Sequence, residues 1–171
     1  IDKALKSSGV VSILTGKEIA DDKIGGLIAG WAIRSEDGTE MKCPGNPPLA
    51  KDNVNFVGDP VAVVIAESLA EAKEAAEKVE FDYKVLKAVT STADAMNGDT
   101  IHAGIDQNLC FDWLLGDRQK VKEAFDKADK VISIDIINNR LIPNAMEPRA
   151  CVADYNAASE EITLYTTSQN P

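Results

Sequence analysis

Residues 54–86 constrain the fold more than any other stretch of the chain. Gly58-Asp59-Pro60 reads as a turn, and Val61-Ala62-Val63-Val64-Ile65-Ala66 follows as an unbroken apolar run. Such a run suits a strand buried on both faces. Ser68 then stands at a helix N-cap with Glu71 three residues on, the capping-box spacing. Leu69, Ala72, Ala75, Ala76 and Val79 fall on one helical stripe, and Glu74 and Lys78 form an i,i+4 pair opposite it. Val79, Phe81, Tyr83 and Val85 next alternate with Glu80, Asp82 and Lys84, the period of a strand with one wet face. Strand, helix and strand in this order predict a helix packed on a mixed sheet, and hence an α+β fold.

Weaker signals flank this unit. Val10-Val11-Ser12-Ile13-Leu14 is a short β-branched run, and Thr15-Gly16-Lys17-Glu18 reads as the turn that ends it. Residues 20–53 carry Gly25-Gly26, Gly30, Asp37-Gly38, Pro44-Gly45 and Pro47-Pro48 and no sustained period. They predict an irregular excursion with one short strand near 27–33. Residues 92–96 read as a helical turn, and 97–116 are irregular again, which marks the best domain boundary. Asp117 is placed to cap a helix to about Ala128, with Val121, Ala124, Phe125 and Ala128 on its apolar stripe and Glu123–Lys127 as an i,i+4 pair. Ile132, Ile134 and Ile136 alternate with Ser133 and Asp135 and predict a further strand. Residues 151–155 and 162–167 predict a hairpin around 156–160.

At 171 residues the chain has room for one domain or two small ones. Its net charge of -10 argues against nucleic acid and against anionic lipid, since both need clustered Lys and Arg. No apolar run approaches the roughly 18–20 residues of a membrane helix. No charged-then-apolar leader opens the sequence, so a cytoplasmic protein is expected. Cys43, Cys110 and Cys151 are too far apart for a zinc knuckle and odd in number for a disulfide scaffold, so reduced, structural thiols are expected. His102, the single histidine, reads as a loop or surface residue.

Several catalytic patterns fail on spacing. Between Gly9 and Gly16 the interval is too long for a phosphate loop, and Glu18 stands where a magnesium-binding Ser or Thr is needed. Gly25-Gly26 and Gly30 make no dinucleotide fingerprint, and the acidic stretches at 21–22 and 35–38 lack the ligand alternation of a calcium loop. The segment that stands out is 139–149, where Arg140, Glu147 and Arg149 lie among Pro143, Pro148 and Met146. It reads either as a buried ionic clamp that fixes a loop or as a loop that shapes a ligand pocket.

Taken in order, these residues resemble a known family. Val57-Gly58-Asp59-Pro60-Val61-Ala62-Val63-Val64, the Ala-rich helix and Val79-Glu80-Phe81-Asp82-Tyr83 are similar to the a/b hammerhead domain of molybdenum hydroxylase large subunits. That family comprises xanthine dehydrogenases, aldehyde oxidases and carbon monoxide dehydrogenases. Gly9-Val10-Val11-Ser12-Ile13-Leu14-Thr15-Gly16 resembles the early strand and turn of the same domain. Ile101-His102, Asn108-Leu109, Gly116-Asp117 and Ala124-Phe125 follow its connecting segment. Asn139-Arg140, Pro143, Met146-Glu147-Pro148-Arg149 and Thr166-Thr167-Ser168-Gln169-Asn170-Pro171 resemble the start of its first cofactor-binding domain.

The resemblance implies a division into residues 1–96, the hammerhead domain, and 97–171, the connecting segment with the N-terminal part of the molybdopterin-binding domain. It implies oxidation of an aldehyde, an N-heterocycle or carbon monoxide at a molybdenum–pterin centre, with oxygen from water. Electrons would leave through iron–sulfur clusters and FAD on partner subunits or domains. Gln169 matches the Gln that approaches an oxo ligand of molybdenum; otherwise it is a polar residue at a strand end. The family's glycine-rich cofactor loop, substrate loop and late catalytic glutamate have no counterpart here, so no catalytic residue is expected in the chain. A slice of a larger subunit is expected, without cofactor or turnover by itself and prone to self-association. The run at 139–149 leans towards a carbon monoxide dehydrogenase-like member. The alternative is a free-standing, non-catalytic α+β interaction module.

Overall fold

The computed structural model describes residues 1–139 and 141–168. Helix α1 (Asp2–Leu5) is followed by β1 (Val10–Thr15), α2 (Gly16–Asp21), β2 (Ala62–Ala66) and α3 (Leu69–Ala76). Two 3₁₀ turns come next, Ala95–Asn97 and Asp106–Asn108, then α4 (Arg118–Asp126), β3 (Cys151–Asn156) and β4 (Glu161–Thr166). The chain divides into two compact units, Ile1–Asp117 and Arg118–Pro171. Helices and small antiparallel sheets coexist, which is the α+β class expected.

In the first unit β1 and β2 pair antiparallel, from Thr15 opposite Ala62 to Val10 opposite Ala66, with a bulge that leaves Val11 out of register. Helix α3 lies against both strands, and α1 lies against β1 and α3. The core sits there: Ala4 and Ala75 are fully buried, and Ile13, Ile19, Leu49 and Ile105 are nearly so. Alanines at Ala4 and Ala75 allow a close approach of the two helices. Ser68 caps α3 as its position requires: the Glu71 N–H donates to Ser68 Oγ at 3.3 Å. The Glu71 carboxylate returns not to the backbone but to the Ser68 hydroxyl, at 2.7 Å. Lys78 reaches Glu74 at 2.8 Å, as the i,i+4 spacing requires, and donates to Ser7 Oγ at 3.0 Å.

Several sequence expectations need correction. Thr15-Gly16-Lys17-Glu18 is not a turn but the start of α2. Thr15 Oγ1 accepts from the Lys17 N–H at 3.3 Å and the Glu18 carboxylate accepts from the Thr15 N–H at 2.8 Å, a capping box. The apolar run of β2 is not buried on both faces. Val63 and Ile65 are 42% and 43% exposed, because α3 covers one side of a sheet that is only two strands wide. Residues 79–86 do not form the third strand of a mixed sheet; both sheets are two-stranded and antiparallel. Their alternation does survive as extended chain, since Phe81 and Tyr83, two apart and so on one side, stack at 6.0 Å. Ile132, Ile134 and Ile136 likewise lie outside any strand and are 79%, 79% and 78% exposed. Both segments have the period of a strand, but a strand also needs a neighbour for its N–H and C=O groups.

The excursion at 22–60 is irregular, as its composition requires. Two isolated antiparallel bridges organise it, Leu27 with Asn46 and Arg34 with Glu40, instead of a strand near 27–33. It returns over the start of α2, where Gly16 meets the backbone of Ala50 so closely that a Cβ would sit 2.3 Å from the Ala50 oxygen. The loop after residue 87 is tied by Asn108. Its Nδ2 donates to the carbonyls of Ala95 at 2.8 Å and Asp99 at 3.0 Å, and its Oδ1 accepts from the Ile101 N–H at 2.9 Å.

In the second unit β3 and β4 form the expected hairpin, in register from Cys151 opposite Thr166 to Asn156 opposite Glu161. Asn156 Oδ1 accepts from the amides of Ala158 and Ser159, an Asx turn that starts the loop. Helix α4 pairs Lys122 with Asp126, not Glu123 with Lys127, and Glu123 instead accepts from the Gln119 amide at 2.9 Å. Every described residue of this unit is exposed.

Candidate functional site

The hairpin brings residues 147–149 and the end of β4 to one end. Because Cys151 opposes Thr166, residues 147–149 enter β3 at the same end of the hairpin at which Thr167 and Ser168 leave β4. Two stretches about twenty residues apart in sequence therefore share one rim. Glu147 and Arg149 are both exposed on it. Among the described residues neither makes an ion pair or a hydrogen bond, so a buried clamp does not form between them. Arg140 and Gln169 lie outside the described residues.

The described residues do not by themselves fit a molybdenum–pterin group. No cluster of three or more His, Cys, Asp or Glu is placed to hold a metal ion among them. The cleft in this unit, about 250 Å³, is lined by Ala124, Phe125, Ala128, Val131 and Ile132, with Lys130 its one charged residue. An apolar wall with a single ammonium offers little to a charged phosphate.

A larger cavity of about 490 Å³ lies in the first unit. Residues 44–47, Asn53, Asn55, Phe56 and Asp59 line it, together with His102. His102 is half-buried in a loop, as its isolation in the sequence suggested. The three thiols are unpaired, Cys43 and Cys151 exposed and Cys110 half-buried, so two of them do not pack in a core.

The shifted carboxylates belong to the first unit. The Thr15 hydroxyl, and then the Thr15 amide, hold the Glu18 carboxyl below its usual range. Lys78 lowers Glu74, and Lys3 lowers Glu80, each first through its hydrogen bond and then through its charge. These are helix-end and tertiary ties, not acid–base groups of a reaction. Sequence reasoning missed the Thr15–Glu18 box and the Asn108 node. The first was readable as Thr-x-x-Glu before an apolar residue; the second had no local signal, because its three partners are set by the loop's path.

No helix among the described residues is long and apolar enough to cross a membrane. Comparison with known proteins gives two family matches in tandem. Residues 1–87 match the aldehyde oxidase and xanthine dehydrogenase a/b hammerhead domain, and residues 101–171 match the molybdopterin cofactor-binding domain. The nicotine 6-hydroxylase large subunit of Paenarthrobacter nicotinovorans is 33% identical over 73% of the chain and 15% of its own length. The carbon monoxide dehydrogenase large chain of Hydrogenophaga pseudoflava is 27% identical over 99% of the chain and 22% of its own length. The crystal structure of quinoline 2-oxidoreductase from Pseudomonas putida 86 superposes with a TM-score of 0.76 at 26% identity, over 99% of this chain and 21% of that one. The chain thus spans about a fifth or less of these relatives.

Proposed function

Because the chain belongs to the aldehyde oxidase and xanthine dehydrogenase family of molybdenum-dependent oxidoreductases, we propose that it forms the hammerhead domain and the opening part of the cofactor-binding domain of a molybdenum hydroxylase large subunit. The observation that carries this reading is the tandem order of the two family matches along one chain. We assign residues 1–96 to the hammerhead domain and 97–171 to the connecting segment and the start of the cofactor-binding domain. The intact protein oxidises a small substrate, an aldehyde, an N-heterocycle or carbon monoxide, with oxygen drawn from water. Its partners are iron–sulfur and flavin subunits or domains, and its setting is the cytoplasm, a reading supported by the unpaired thiols of Cys43, Cys110 and Cys151.

In this reading the cofactor would supply the redox chemistry, and the chain would supply positioning. By the family resemblance, Gln169 would offer an amide N–H to an oxo ligand of the metal. Arg140, Glu147 and Arg149 would shape the pocket. For Glu147 and Arg149 the support is the register of β3 and β4, which brings residues 147–149 and 167–168 to one end of the hairpin. The 171-residue chain alone binds no molybdenum and turns over no substrate.

Elemental analysis of the chain produced in molybdate-fed cells tests the last statement: less than stoichiometric molybdenum is expected, and one metal per chain overturns it. In the holoenzyme that contains this chain, Gln169→Ala is expected to lower turnover about 10- to 100-fold with molybdenum content retained. Unchanged turnover would remove Gln169 from the site.

A further inference from the structure

The second unit does not have the burial of a body that stands alone. A self-sufficient domain of about 60 residues buries roughly 60% of the surface its unfolded chain exposes. Here every described residue of 118–168 is exposed. The apolar surface also points in opposite directions. Register sets Ala153 opposite Leu164 and Tyr155 opposite Ile162 on one face of the hairpin, and Val152 opposite Tyr165 on the other. Tyr155, Ile162 and Leu164 on the first face, and Val152 and Tyr165 on the second, are all more than half exposed. A two-fold contact with a second copy buries one self-complementary patch, and so covers one of these faces and not both. Covering both takes a polypeptide that passes on either side of the hairpin.

Residues 131–137 ask for the same surroundings through their backbone. Val131, Ile132, Ile134, Ile136 and Ile137 are β-branched, the side chains that favour a strand. Yet among the described residues the N–H and C=O groups of this stretch make no backbone hydrogen bond. Drawn out as a strand, it sets Ile132, Ile134 and Ile136 on one face, and Val131 and Ile137 on the other with Ser133 and Asp135 between them. Apolar residues on both faces are the pattern of a strand covered above and below. We infer that residues 131–137 are an inner strand of a sheet whose neighbouring strands come from the part of the large subunit outside this chain, and that the same polypeptide encloses the β3–β4 hairpin on both faces. This rests on the reading of the chain as part of a large subunit, and adds which surface the remainder meets and by what contact. The chain spans about a fifth or less of its relatives, so in them a polypeptide several times its length is at hand for that role. The contact is strand addition, in which main-chain hydrogen bonds supply the affinity and alternate side chains the register.

Hydrogen exchange on the purified large subunit that contains this chain, set beside the 171-residue chain over a range of concentrations, tests this. The amides of 131–137 should exchange about a hundredfold or more slowly in the native subunit than in the 171-residue chain, at every concentration. Cys151, exposed in the chain, should be alkylated about tenfold or more slowly in the native subunit, and equally fast in both once denaturant has unfolded them. Open exchange of 131–137 in the native subunit would overturn the inner strand. Protection that appears in the 171-residue chain as its concentration rises would overturn it too, because a second copy would then be the partner. Molybdenum content of the same subunit reports separately on the family reading. Metal bound with 131–137 open removes only the inner strand, whereas slow exchange without metal removes the cofactor reading and leaves the strand in place. Both readouts use unsubstituted protein, so no misfolded variant enters the test.

Discussion

The sheet β1–β2 and the hairpin β3–β4 are built alike, antiparallel pairs of five or six residues per strand, yet only the first has a core beneath it. The difference lies in what each sequence supplies next. Two residues separate β2 from α3, and Ser68 caps that helix so that it turns back over both strands. Ile13 thereby falls to 5% exposure. The hairpin has comparable apolar residues in Tyr155, Ile162 and Leu164, but they remain more than half exposed. Apolar content alone does not make a core; a second layer at the right chain distance does.

Substitutions can break or sharpen this contrast. The largest effect is expected at the core: Ile13→Ala should cost about 3 kcal/mol in chemical denaturation, against about 0.5 kcal/mol or less for Leu164→Ala in the isolated chain at low concentration. Comparable losses would mean that the hairpin carries a core of its own. Gly16→Ala should cost about 2 kcal/mol, because its Cβ would meet the backbone of Ala50 and cannot be relieved by a side-chain rotation. Asn108→Ala should cost about 1–2 kcal/mol by orphaning two carbonyls and one amide that water can partly reach.

The smallest effect is in pH dependence. Glu18 is lowered in the folded state, so its contribution is complete above the ordinary Glu value near pH 4.3 and fades as pH falls through the folded value. Glu18→Gln should therefore flatten the acid limb of the first unit's stability and leave the neutral region's slope unchanged. An acid limb unaltered by the substitution would show that the capping box does not couple to folding.

Local chemistry was legible in the sequence, and pairing was not. Ser68 with Glu71, Glu74 with Lys78, and the hairpin around residues 156–160 follow from spacing, and each stands where the spacing puts it. The alternation at 79–86 and at 132–136 was equally clear and led to strands that do not form. Alternation fixes which side chains share a face but names no neighbour to complete the ladder. Thr15 and Glu18 show the reverse error: a weighed phosphate-loop pattern hid a plain capping box in the same residues. At the candidate site, Glu147 and Arg149 were picked out by composition, and the hairpin register adds the end of β4 as their neighbour. Arg140 was picked out with them and Gln169 rests on family resemblance; both lie outside the described residues.

Native-state hydrogen exchange on the 171-residue chain in dilute solution tests the contrast between the two units most directly. The account predicts strong, concentration-independent protection in β1, β2 and α3. In β3 and β4 it predicts weak protection. Equal protection of both sheets in the most dilute sample would contradict it.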